Sequence, residues 1–287
     1  MFSSKDKAFD AHNGNPPPYP DNIGEAPPYE APTFNDTAMD STRLTAATAK
    51  FPPTFNCYYV WKFKQVYYLG PTSDEKLYTI SYDQKIFSRK QSLFLHDGPS
   101  DKDRMLATVS RQGKGWHDHA SITVHRQHGG DVEVAFEPLE HPSWKQAQVR
   151  AFHFRTAKGV VEEFQWRTSH GSEIKELAGH STGWKLVRMS QAQAQAGTAG
   201  PSREPKPGFA SDGQEVVAVL AHNMSWSMTK GSKFAFMGSG LTGTLGEEWE
   251  TAAVASGFWL WWLYVTASAG TAGAAAGAGA AVAAGGS

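Results

Sequence analysis

Between Thr244 and Gly270 the chain reads TLGEEWETAAVASGFWLWWLYVTASAG, a helical stretch with no polar face and no charged residue after Glu250. A helix that is apolar on every side has to be buried, either in protein or in lipid. Whatever surrounds this segment must therefore supply a dry environment all around it. Its beginning is marked in the sequence. Thr244 and Glu247 stand at capping-box spacing, and Glu247, Glu248 and Glu250 crowd the end where the helix dipole is positive. The expected helix runs from Leu245 to about Ala267, with Trp249, Phe258, Trp259, Trp261 and Trp262 as its bulky core residues.

The residues ahead of it read as strands. From Phe55 onward, short β-branched and aromatic runs follow one another between turn residues: CYYVWKF, VYYLG, LYTISYD, SLFLH, MLATVS, SITVHR, DVEVAFEP, QVRAFHFR, VVEEFQWR, GWKLVRMS, EVVAVLAH and KFAFM. Several alternate polar and apolar residues, as Glu162-Glu163-Phe164-Gln165-Trp166 does, the mark of a strand wet on one face. Strands at this regular spacing, with no helical stretch between them, predict an antiparallel sandwich or barrel and not a βαβ array. A barrel of large apolar strands needs a filler, and residues 258–264 would supply it. The same apolar run also meets the length of about 20 residues that spans a bilayer. The alternative is thus a C-terminally tail-anchored membrane protein, whose nearest basic residues, Lys230 and Lys233, would keep the β domain cytosolic.

Domain organisation follows from composition. Residues 1–53, with NPPPYP and APPYEAP among them, have no apolar periodicity and are expected to form a disordered Pro-rich tail. The folded domain is expected over 54–268, with a flexible loop at about 191–212 and a Gly/Ala-rich tail at 269–287. The only cysteine, Cys57, excludes an internal disulfide framework and a Cys-based zinc site, and a reducing cytoplasmic location is expected. The N-terminus has no apolar leader, so the sequons at Asn35 and Asn223 carry no weight. With a net charge of -1 there is no global attraction to nucleic acid or anionic lipid, and electrostatic binding has to come from local patches.

Chemistry-bearing motifs are sparse. Gly179-His180-Ser181-Thr182-Gly183 fits G-x-S-x-G, but a nucleophile elbow needs a helix after the serine, and the strand-like GWKLVRM follows instead. Gly238-Ser239-Gly240-Leu241-Thr242-Gly243 fits G-x-G-x-x-G, yet no acid follows Glu250 to meet a ribose, so it reads as a turn feeding the helix. His117, His119, His125 and His128 have no further ligand set by spacing, and they read as exposed polar residues. No catalytic residue, metal or cofactor is expected. Pro16, Pro17 and Tyr19 form a P-P-x-Y motif, a WW-domain ligand when displayed in an extended tail. Lys62 and Lys64 on one strand face, with Arg89 and Lys90 in a nearby turn, are the candidate phosphate or lipid patch.

The order of these parts resembles the tubby C-terminal-like domain in its fungal branch, related to the LURP-one-related proteins and phospholipid scramblases. The resemblance rests on YYLG at Tyr67 to Gly70, LHDGPSD at Leu95 to Asp101 and EFQWRTSHGSEIKELAGHSTGWKLVRM at Glu163 to Met189. It continues through ASDGQEVVAVLA at Ala210 to Ala221 and SMTKGSKFAFMGSGLTGTLGEEWE at Ser227 to Glu250. The resemblance implies a closed antiparallel barrel wrapped around the hydrophobic C-terminal helix. It further implies a non-enzymatic binding module that contacts phosphoinositide or other membrane lipid headgroups, or a protein partner. After Trp262 the chain departs from the family, running on as YVTASAGTAGAAAGAGAAVAAGGS where polar or basic residues usually close the helix.

Overall fold

Each of the twelve apolar runs carries one strand of a single antiparallel sheet. The computed structural model describes residues 49–59, 66–84, 91–112, 119–139, 149–179, 182–189, 208–222 and 230–283, with side chains of the last stretch up to Ser268. The strands are β1 (Thr54–Tyr59), β2 (Val66–Gly70), β3 (Tyr78–Gln84), β4 (Gln91–His96), β5 (Met105–Gln112) and β6 (His119–Val124). They continue as β7 (Val132–Pro138), β8 (Arg150–Arg155), β9 (Val161–Ser169), β10 (Gly183–Met189), β11 (Glu215–His222) and β12 (Lys230–Phe236). Neighbours in sequence pair as hairpins, and β1 pairs with β12, with Phe55 opposite Phe234, to close the barrel. Closure leaves no strand edge with unpaired N–H and C=O groups, which a sandwich would have kept.

Alternation along the strands decides what faces inward. Phe55 and Cys57 of β1, Leu93 and Leu95 of β4, Phe152 and Phe154 of β8, and Phe164 and Trp166 of β9 are all buried in one core cluster. The same cluster takes in Trp249 and most of residues 252–262 of helix α2 (Glu247–Ala283), which threads the barrel. Trp249 lies against Phe164 and Phe236 where the helix enters, with ring centroids 5.3 and 6.1 Å apart. Phe258 stacks on Phe55 and Phe234 farther in, and Trp262 stacks on Tyr82 at 5.0 Å toward the other end. All five bulky helix residues picked out from the sequence are buried, none more than 3% exposed. Small residues separate them. A Cβ at Gly257 would sit 3.0 Å from the Trp166 ring, and Trp166 Nε1 donates to Ser256 Oγ at 2.9 Å. The helix interior is thus notched to receive strand side chains. Among the described residues no helix is long and apolar enough to cross a membrane.

Several boundaries differ from expectation. Helix α2 begins at Glu247, after Gly246 at φ 94°, two residues beyond the expected start. The positive φ values of Gly243 and Gly246 turn the chain from the rim into the lumen, and the Thr244 hydroxyl pairs with that of Thr242 at 2.9 Å. The helical backbone continues to Ala283, past the expected end near Ala267. At the N-terminal side the fold begins ahead of β1, because Phe51 is 2% exposed. A short helix that the sequence reading missed, α1 (Ser172–Ala178), covers the outer face of β10–β12. Its one buried residue, Ile174, joins Val187, Val216, Val219 and Ala235 in a second apolar cluster. Strand β11 is therefore dry on both faces, which explains why EVVAVLAH shows no alternation.

Because α2 fills the lumen, its removal is expected to collapse the barrel. A chain truncated before Gly246 should be insoluble or protease-sensitive, and Trp259→Ala should cost about 3–5 kcal/mol in denaturant unfolding. A soluble truncated chain that unfolds cooperatively would refute the filled-barrel account.

Candidate functional site

A filled lumen leaves the two mouths and the outer face as places for a ligand. The proximal mouth, where α2 enters, carries the β2–β3, β4–β5, β6–β7, β8–β9 and β10–β11 connections and the residues before β1. Across it lies a strap, residues 49–53. Lys50 N and Phe51 N both donate to Glu250 Oε2, at 2.8 and 3.4 Å, while the Tyr78 hydroxyl donates to the Lys50 carbonyl. The Phe51 ring packs on Tyr78, 4.5 Å between centroids. Beside the strap, Lys50 Nζ and Arg104 reach Asp97 at 2.8 and 3.1 Å, and Arg126 forks onto Glu248 at 2.5 and 2.7 Å. Lys50, Arg104, Arg126 and Glu248, with His125 and Glu247, line a cleft of about 230 Å³.

The electrostatics of this mouth are largely self-satisfied. Burial pushes the Asp97 carboxyl up, but hydrogen bonds and charge from Lys50 and Arg104 outweigh it and hold Asp97 below the usual carboxylate range. Glu250 behaves oppositely. Its burial raises it to about 7 against the two strap N–H groups that stabilise the anion, with Glu247 adding repulsion. An anion arriving at the helix N-terminus would meet three glutamates already in place.

His125 accepts or donates on both sides, with Nε2 3.0 Å from Thr108 Oγ1 and Nδ1 2.8 Å from Asp131 Oδ2. The spacing matches a hydroxyl–imidazole–carboxylate relay. A nucleophile also needs free N–H donors for the oxyanion, and the β5 backbone around Thr108 is committed to its β4 and β6 ladders. The trio serves to clamp the β6–β7 turn to β5. Sequence reasoning passed over it because only the register Thr108 opposite Thr123 brings Thr108 and His125 together.

At the distal mouth an aromatic collar surrounds the departing helix. Trp261 packs edge-on to Tyr67 at 5.3 Å and its Nε1 donates to His222 Nδ1 at 3.1 Å. Burial lowers the His222 pKa, with a smaller opposing effect from the Gly231 backbone, so His222 stays a neutral acceptor. The Tyr82 hydroxyl and Trp262 Nε1 are buried without a hydrogen-bond partner.

Of the residues singled out from the sequence, the core-helix set converges in the lumen. Pro16, Pro17 and Tyr19, the patch Lys62, Lys64, Arg89 and Lys90, and also His117 and Ser181, lie outside the described residues. The strand ends that flank the patch, Tyr59, Val66, Gln84 and Gln91, all stand at the distal mouth. His119 is exposed and 3.7 Å from Glu137, and among the described residues no three His, Cys, Asp or Glu side chains converge as a metal-holding group. In the glycine-rich turn, the Ser239 N–H and hydroxyl are taken by Glu215 at 2.6 and 2.9 Å. Comparison with family models, curated proteins and solved structures returned no match for this chain.

Glu250 supplies a pH test. Its folded pKa, about 7, exceeds the ordinary 4.5, so the folded state binds the extra proton and stability from this group falls as pH rises from about 4.5 to 7. Glu250→Gln, which keeps an acceptor for the strap, should melt above the unsubstituted protein at pH 8, and the gap should close near pH 5. A gap that is unchanged between those two pH values would show that Glu250 does not carry a buried charge.

Proposed function

We propose that this chain is a non-enzymatic binding module of the tubby C-terminal-like kind, whose barrel contacts membrane lipid headgroups and whose N-terminal tail recruits a WW-domain protein. The observation that carries the reading is the filled barrel. With Trp249, Phe258, Trp259, Trp261 and Trp262 occupying the lumen, the described residues leave no interior chamber of the kind that lipocalin-like barrels use for a ligand, so recognition falls to the rims and outer face. The closed ladder supports the non-enzymatic part, since backbone N–H groups of the strands are spent on neighbouring strands and not offered to a transition state. The sequence patch Lys62, Lys64, Arg89 and Lys90 is the basic candidate for headgroup contact, and the tail motif Pro16, Pro17 and Tyr19 the candidate WW ligand.

Co-sedimentation of the full-length protein with vesicles tests the lipid part. Binding is expected to vesicles that contain phosphoinositide or phosphatidylserine and not to phosphatidylcholine alone, and to weaken as salt is raised. Charge reversal at Lys62, Lys64, Arg89 and Lys90 should reduce it. Failure to bind any anionic vesicle at low salt overturns the lipid assignment. The tail is tested separately on an array of WW domains, where Tyr19→Ala should abolish capture; equal capture of the variant would remove the motif from the proposal.

A further inference from the structure

Large apolar side chains exposed to water are unevenly placed on this barrel. Among the described residues they are Val160 at 54%, Val161 at 45%, Leu241 at 44%, Leu139 at 40% and Phe209 at 37%. All except Leu139, which follows β7 at the distal mouth, sit on connections or at a strand start at the proximal mouth. Val160 ends the β8–β9 turn and Val161 opens β9, Phe209 lies on the β10–β11 connection, and Leu241 closes the 3-10 turn after β12.

These three connections are tied together. Ala157 N donates to the Leu245 carbonyl at 3.1 Å, which fastens the β8–β9 turn to the start of α2. Phe209 pairs with Glu215, and Glu215 in turn holds Ser239 of the turn that presents Leu241. The apolar tips therefore belong to one bonded rim. Arg155 at the end of β8 and Lys158 in the β8–β9 turn are not paired with a carboxylate among the described residues; the Arg155 guanidinium donates to the Gly159 carbonyl at 2.8 Å. Of the acids on these connections, Asp212 is matched by Arg167 at 2.6 Å and Glu162 and Glu215 by Arg188, while Glu247 at the entry of α2 has no cation partner among the described residues, which leaves Arg155 and Lys158 on the β8–β9 side as the cations for a phosphate.

We infer that the proximal rim is a membrane-docking face, with Val160, Val161, Leu241 and Phe209 entering the interface of an anionic bilayer while Arg155 and Lys158 meet its phosphates. The inference rests on the lipid-contact reading above and moves the contact from the strand ends that flank the basic patch to the opposite mouth, since one bilayer meets one mouth of the barrel at a time. Apolar residues raised on turn tips beside free cations match a bilayer, where the tips lose water to the acyl boundary and the cations stay at headgroup level. Partner proteins more often present or accept a continuous apolar core.

The single cysteine, Cys57, is fully buried, so one introduced cysteine is labelled selectively at the surface. Val160→Cys carrying an environment-sensitive nitrobenzoxadiazole dye should blue-shift and brighten on phosphatidylserine vesicles, while the same dye at Leu139→Cys should not. Val160→Asp with Val161→Asp should weaken sedimentation with those vesicles about tenfold or more without lowering Tm. If the protein sediments with vesicles while the dye at position 160 stays water-like, this face is wrong although the lipid reading stands. If no vesicle is bound at all, the lipid reading itself fails and takes this face with it.

Discussion

The mutual burial of helix α2 and the inner face of the barrel is the contact on which the remaining structure depends. Neither partner is dry without the other. The helix has no polar side to turn to water, and the strands present Phe55, Phe152, Phe164, Trp166 and Phe234 to a lumen that would otherwise be empty. Burying residues of that size typically contributes several kcal/mol each, far beyond what a surface ion pair supplies. Close fit follows from alternating small and large residues along α2. Ser256 and Gly257 admit the Trp166 ring, and Phe258 to Trp262 fill the space beyond.

Filling the lumen moves binding outward and gives the two mouths different characters. The proximal mouth holds the strap, the Glu250 carboxylate and a set of matched charges, with apolar tips standing above them. The distal mouth is aromatic, and polar groups there, such as the Trp261–His222 pair, serve to seat the helix. Glu250 is an electrostatically costly group at this mouth. It gains two backbone donors from the strap, yet its burial costs enough to hold it partly protonated near neutrality.

Charged residues elsewhere act mostly as staples on the outer wall. Arg188 bridges Glu162 of β9 and Glu215 of β11, and Arg167 reaches Asp212 on the β10–β11 connection. Such partly exposed pairs stabilise little individually, but they hold the connections at the proximal rim in place. The Thr108–His125–Asp131 trio belongs to the same class, fastening a turn to a strand.

Twelve strands and one apolar helix were legible in the sequence because each rests on local periodicity, which neighbouring residues determine by themselves. The need to bury α2 was legible for the same reason, as were Trp249, Phe258, Trp259, Trp261 and Trp262 as its core residues. The short helix α1 was not, since seven residues with one buried contact carry too little periodicity to stand apart from a loop. The start of α2 was misplaced by two residues because glycines at positive φ, and not the Thr244 hydroxyl, set where the chain turns inward. Other features existed only once the barrel closed. Phe209, Glu215 and Ser239, the strap on Glu250, and Thr108 beside His125 are joined by strand register and by the return of α2 through the lumen. Contacts between residues far apart in the chain depend on the whole sheet being paired, and no local pattern in the sequence encodes them.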